Sequence, residues 1–242
     1  MDLAEKEEQE IEVWKCHQGE LNLPTMLHKM TEAQRFMREV ERFAGVFQGA
    51  SKVLELGAGQ AWGACIIKQR FPHLRVLASD ISEHAVACCP SWERVFQVKL
   101  DGVFACRSYD IPLAAAAVDL VFCYASAHHF VAHRRTLNEI HRVLTPGGKC
   151  LYLFEPACTR LLYPLARWRV TRKRTEVRED VLIYPKLCRI AGDSGFTAQV
   201  DFRPVSEGRS LLEANYYFLL SKLPFLQRVL PTCANLVFTK AA

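Results

Sequence analysis

The chain is predicted to fold as a doubly wound α/β domain, and two patterns carry that expectation. Short apolar runs rich in β-branched residues stand at 52–56, 74–78, 96–100, 118–124 and 149–154. Stretches with helical spacing lie between them at 61–71, 83–89 and 131–144, the last stopped by Pro146-Gly147-Gly148. Strands and helices alternating at this spacing form βαβ units, and these imply a parallel sheet covered on both faces. Upstream, apolar residues from Met26 to Phe47 recur at helical spacing, so 1–49 is expected to be an N-terminal helical cap on a main domain spanning 50–242. Within that cap, residues 1–20 hold seven acidic side chains against two basic ones, the composition of a solvated helix or tail. Beyond Pro156, a helix over 184–193, a strand over 197–202, an apolar helix over 211–220 and a final strand over 234–240 complete the chain.

Composition removes several classes. Half of the 242 residues are apolar and 24% are charged, with a net charge of +5, which is neither a disordered nor a fibrous composition. The apolar run 111–118 is closed by Asp110 and Asp119, and no run approaches the length of a membrane-spanning helix. The acidic start lacks the basic-then-apolar order of a secretory leader. Ten cysteines form no Cys-x-x-Cys pair and mostly sit in apolar runs, as reduced thiols of a cytoplasmic protein do.

The chemistry concentrates after the first strand. Gly57 and Gly59 let the chain turn tightly and bring backbone N–H groups against a ligand at the carboxyl edge of the sheet, although any strand-to-helix turn can use glycine. Asp80, ending the second strand, can accept two hydrogen bonds from a ribose diol. A dinucleotide site would want glycine where Trp62 stands, and Glu55 beside the turn repels a pyrophosphate and attracts a cation. A nucleoside with positive charge and no phosphate fits better.

At this point Glu55-Leu56-Gly57-Ala58-Gly59 resembles the first motif of class I S-adenosylmethionine-dependent methyltransferases, and Asp80-Ile81-Ser82 resembles their ribose-binding motif. Ile111-Pro112-Leu113, Val118-Asp119-Leu120-Val121-Phe122, Ala127-His128-His129-Phe130 and the run from Glu139 to Gly148 resemble the type 11 branch, which includes quinone-biosynthesis enzymes. The likeness covers 52–156 and implies a Rossmann-like, seven-stranded, mostly parallel sheet with an antiparallel last strand. It implies S-adenosyl-L-methionine as cofactor, with Gly57 and Gly59 against its methionine part, Glu55 steering its amino group, Asp80 on the ribose, Ile81 on the adenine and Tyr124 bordering cofactor and substrate. The family's adenine-contacting acid is displaced here: Asp101 is the candidate, while Arg107 stands near the usual place.

Methyl transfer needs alignment, exclusion of water and sometimes a base. His128 and His129 follow the fourth strand and Glu155 ends the fifth, so each is a candidate catalytic group; equally, a histidine there can cap the next helix and Glu155 can hold a local backbone N–H. His133, four residues beyond His129, raises a metal reading, but with no Asp or Cys nearby no metal is expected. The segment 160–178 mixes leucines and Trp168 with seven basic residues. It reads as a solvated face, as a peripheral membrane contact, or as a grip on an anionic, lipid-like substrate. A small-molecule methyl acceptor is favoured over protein or RNA and over a non-catalytic binding role. Nucleic acid is not expected as a partner, because aromatic interleaving is sparse.

Overall fold

A computed structural model describes residues 3–16, 23–172, 179–206 and 210–242. Helices α1 (Leu3–Cys16), α2 (Leu23–Arg42) and α3 (Ala44–Gln48) lead into β1 (Lys52–Leu56), α4 (Trp62–Arg70) and β2 (Arg75–Asp80). Then come the short helices α5 (Glu83–Val86) and α6 (Cys89–Phe96), β3 (Gly102–Ala105), β4 (Val118–Tyr124), α7 (His133–Val143) and the long β5 (Leu144–Cys158). Helix α8 (Tyr163–Thr171), β6 (Leu182–Ile183), α9 (Tyr184–Asp193), β7 (Phe196–Phe202), α10 (Leu211–Lys222), α11 (Pro224–Gln227) and β8 (Thr232–Lys240) finish the chain.

The sheet order is β3-β2-β1-β4-β5-β8-β7, with β6 beside the far end of β5. Pairing is parallel from β3 through β5, and β8 runs antiparallel between β5 and β7. The fold is therefore the mostly parallel, doubly wound sheet with an antiparallel last strand. Because strand side chains alternate between faces, Val53 and Phe122 enter one apolar layer while Leu54 and Val121 enter the other. Helix α2 belongs to the first layer: Phe36 is fully buried, its ring centroid 6.0 Å from that of Phe122 and 5.5 Å from that of Trp62. The bulk of Trp62, which spoils a dinucleotide turn, fills the joint between α2 and the sheet.

The expected strand at 96–100 is not formed. Phe96 closes α6, Gln97 caps it in the left-handed region (φ 54°), and the Glu93 carboxylate accepts from the Leu100 N–H. These local hydrogen bonds outcompete the strand preference of the apolar run, and pairing begins only at Gly102.

An extra residue in β5 shapes the site. Tyr152 pairs with Leu236 but Glu155 with Ala234, so three steps on β5 meet two on β8. Phe154 takes φ +56° at this bulge, and its N–H donates to Asn235 Oδ1 at 2.8 Å. Beyond the bulge, the fully buried Glu155 gathers the loop after β4. Its Oε1 accepts from Ser126 N and Ala127 N, both at 2.8 Å. Its Oε2 accepts from His128 N at 3.1 Å and lies 2.7 Å from His128 Nδ1. The other ring nitrogen of His128 is 2.9 Å from Glu179 Oε2. Burial alone lowers the pKa of His128, but the charges and hydrogen bonds of Glu155 and Glu179 outweigh it and push it up to about 9.

Replacing Glu155 with Ala should destabilise the fold by about 3–5 kcal/mol in urea unfolding, since it strands three N–H groups and a buried imidazolium. A pKa raised on folding stabilises fully below the unfolded value near 6.5 and is lost as pH rises through about 9. The unfolding midpoint should therefore fall across that window, with Lys6, His129 and the two carboxylates as the other ionisable neighbours, and His128→Gln should flatten the decline.

Candidate functional site

Chain crossovers go one way from β1 to β2 and β3, and the other way from β4 to β5, which opens a crevice at the carboxyl ends of β1 and β4. A cavity of about 420 Å³ occupies it, large enough for a nucleoside-sized ligand. Its floor is the turn 56–60, one wall is Asp80 and Ile81 after β2, and the other is Tyr124, Ala125 and Ser126 after β4.

The turn needs its glycines. Gly57 has φ +73°, and a Cβ there would meet Ser126 Oγ at 2.8 Å; Gly59 has φ +53°, with the Trp14 ring 3.1 Å from the place of a Cβ. Asp80 fastens the turn. Its Oδ2 accepts from Gly59 N at 2.8 Å and its Oδ1 from Ser82 N at 3.0 Å, and the carboxylate lines the cavity. Burial raises its pKa while the N–H groups of Ser82 and Gly59 pull it back.

Glu55 is buried beneath the turn. Its Oε2 accepts from Ala64 N at 2.7 Å, and a Cβ at Gly63 would stand 2.5 Å from Oε1, so Gly63 is what lets the carboxyl reach the first turn of α4. Burial, only partly offset by that N–H, pushes its pKa up to about 8. Tyr124 lines the cavity, with its hydroxyl 3.5 Å from Glu32 O and its ring edge-on to Phe36 and Trp62.

The N-terminal helix departs from the solvated tail expected of it. Lys6, Glu7, Glu10, Val13 and Trp14 of α1 all line the cavity. Glu7 is buried, accepting from Arg107 Nε at 2.9 Å and from the Tyr109 hydroxyl at 2.7 Å. Glu10 Oε1 lies 2.7 Å from His129 Nδ1. Six carboxyl groups line the cavity, at positions 7, 10, 32, 55, 80 and 179; those of Glu7, Glu32 and Glu179 are paired with Arg107, Lys29 and His128, which leaves Glu10, Glu55 and Asp80 to meet a cationic ligand.

The catalytic candidates separate. His129 lines the cavity, whereas His128 and Glu155 do not; Glu155 is spent on the loop and on His128, so it positions the site rather than meeting substrate. His128, His129 and Glu179 each bring a ligand-capable atom within 4.8 Å of the others, with Glu179 Oε2 2.9 Å from His128 Nε2 and 3.7 Å from His129 Nε2; His133 is not among them. With Glu155 on its other nitrogen, His128 sits as an imidazolium between two carboxylates.

Asp101 requires correction. It precedes β3, at the amino end of a parallel strand and so at the edge of the sheet away from the crevice; it accepts from Lys68 Nζ and Val76 N, both at 2.8 Å. The positions after β3 that do line the cavity are Cys106 and Ser108, while Arg107 pairs with Glu7. Glu10, Trp14 and Glu179 are cavity residues that sequence reading missed; the acidic composition of 1–20 read as a solvated helix or tail, and nothing in it announced a partner.

A family model described as "Methyltransferase domain" matches residues 54–152. The chain is 26% identical over 151 residues to a ubiquinone/menaquinone biosynthesis C-methyltransferase of Desulfotalea psychrophila, covering 62% of this chain and 60% of that protein. It is 25% identical over 123 residues to a malonyl-[acyl-carrier protein] O-methyltransferase of Gallionella capsiferriformans, covering 48% of this chain and 41% of that one. The chain thus spans 60% and 41% of the lengths of these two relatives. Among solved structures, the geranyl diphosphate C-methyltransferase of Streptomyces coelicolor A3(2) has the same fold, with a TM-score of 0.65 at 13% identity over 89% of this chain and 81% of that one. A glycine turn and a crevice at the switch point thus stand in a chain whose residues 54–152 match a methyltransferase domain and which is similar to class I S-adenosylmethionine-dependent methyltransferases.

Proposed function

We propose that the chain transfers a methyl group from S-adenosylmethionine to a small-molecule nucleophile seated beside His129. The observation that carries this reading is the acid-walled cavity at the switch point, floored by a turn whose glycines admit no side chain. When bound, the cofactor supplies a methyl group already activated on a sulfonium. The chain's own residues bind, orient and exclude water. Asp80 offers its carboxylate to a diol, Ile81 and Phe130 supply apolar wall, and the carboxyl groups balance positive charge. His129, with Nδ1 2.7 Å from Glu10 Oε1 and Nε2 3.7 Å from Glu179 Oε2, is the base for an acceptor's proton.

Incubation with methyl-labelled cofactor and fractionated metabolite, lipid, protein and RNA pools tests the acceptor class. Label is expected in the metabolite or lipid pool; label in protein or RNA, or in nothing, overturns the proposal. Asp80→Ala should weaken S-adenosylhomocysteine binding on the order of 100-fold in calorimetry, as two hydrogen bonds to a charged acceptor are lost. Because the Glu55 carboxyl is held protonated at neutral pH, a cation entering beside it should expel that proton. Binding enthalpy near neutral pH should then vary with the ionisation enthalpy of the buffer in the unmodified chain and not in Glu55→Gln. His129→Ala should lower kcat by about 100-fold or more while leaving cofactor affinity unchanged.

A further inference from the structure

The apolar surface of this protein is not scattered. Among the described residues, nine of the twelve large apolar side chains that stand exposed fall between 161 and 229, so one region needs an explanation that single exposed leucines do not. Leu165 and Trp168 stand out from α8; Leu211, Leu212, Phe218 and Leu219 stand out from α10, with Leu212 at 84% exposure and Trp168 at 56%. Helix α10 carries apolar side chains on every side, broken by Glu213, Asn215 and Lys222, yet buries only Tyr217 and Leu220, a pattern at odds with a helix that faces water.

The two helices are fastened to each other. Arg169 of α8 pairs with Glu213 of α10 at 2.9 Å, and its guanidinium lies 5.4 and 5.6 Å from the ring centroids of Tyr216 and Tyr217. Both stand at the carboxyl edge of the sheet: α8 follows the end of β5, and the segment after α10 enters β8 at Thr232, opposite Ala157. That is the edge on which the cofactor cavity opens.

Charge selects the occupant. Residues 157–175 contain six basic side chains and no acidic one, and 210–231 add Lys222 and Arg228 against the single Glu213, which is already paired. The part of the basic segment at 173–178 lies outside the described residues. A second copy of the chain would bring like charges together, whereas an anionic bilayer surface receives both the arginines and the apolar side chains. No described helix is long and apolar enough to cross a membrane, so contact would lie in the interface.

We infer that α8 and α10 form a docking face for the headgroup region of an anionic lipid bilayer, which brings the mouth of the cavity to the membrane. The inference concerns a surface apart from the cavity and stands whatever the acceptor proves to be.

The test is sedimentation of the full chain with vesicles of phosphatidylcholine, with and without phosphatidylserine. Co-sedimentation is expected only with phosphatidylserine, weakening as salt rises. The double substitution Arg167→Glu/Arg172→Glu should cut vesicle affinity at least about tenfold. Leu211→Ser/Leu212→Ser should lower it at every salt concentration, with cofactor affinity and thermal midpoint unchanged, because these side chains touch no core. Tryptophan emission should shift to the blue on vesicles, and not in Trp168→Phe. Failure to sediment with either vesicle overturns the inference. So does a stable dimer in lipid-free solution that the leucine substitutions dissociate, or nucleic acid bound at the arginines in place of lipid.

Discussion

The buried carboxylate of Glu155 is the constraint on which the site depends. A charge in full burial persists only if donors surround it, and here the donors are three successive N–H groups of the loop after β4 together with an imidazolium. The extra residue in β5 aims the carboxylate at that loop, and Asn235 on the neighbouring antiparallel strand satisfies the N–H of Phe154 at the bend. One inserted residue therefore ties three strands to the wall of the cavity. It also explains why His128 and His129, adjacent in sequence, do different things: the first is consumed in holding the loop and the second is left at the cavity.

Electrostatics give the cavity its preference. Desolvated carboxyl groups beneath and beside a glycine turn make a poor site for phosphate and a good one for a cation, and Trp62 removes the close packing a dinucleotide requires. The same two glycines serve a nucleotide turn in many folds; the acidic residues around them select among ligands. Glu55 and Gly63 form a unit in this respect, since the carboxyl fits only because its neighbour on α4 has no side chain.

Much of this was legible from sequence because it is local. The glycine turn, Asp80 at a strand end and the alternation of strand and helix lie within short windows, and β1, β4 and α9 were read from such windows, while the antiparallel end of the sheet came from the family resemblance. Asp101 was misplaced because 96–100 has strand-like composition, while the Glu93 carboxylate and the cap at Gln97 hold that stretch out of the sheet. Glu10 and Glu179 meet His129 across more than a hundred positions and across fifty, and no spacing rule reports such an encounter. The exposed face of α10 was hidden for a different reason: an apolar helix reads as buried until its neighbours are known.

Trp14 leaning over Gly59 ties access to the glycine turn to the mobility of a helix. A ligand seated on the glycine turn is roofed by α1, and the roof is held by Glu7 on Arg107 and Tyr109 and by Glu10 beside His129. Under the proposed methyl transfer, parting of those contacts opens the roof over the turn, so the off-rate of product and the shielding of the reacting centre from water share the same few ion pairs. Strengthening them would trade speed for protection.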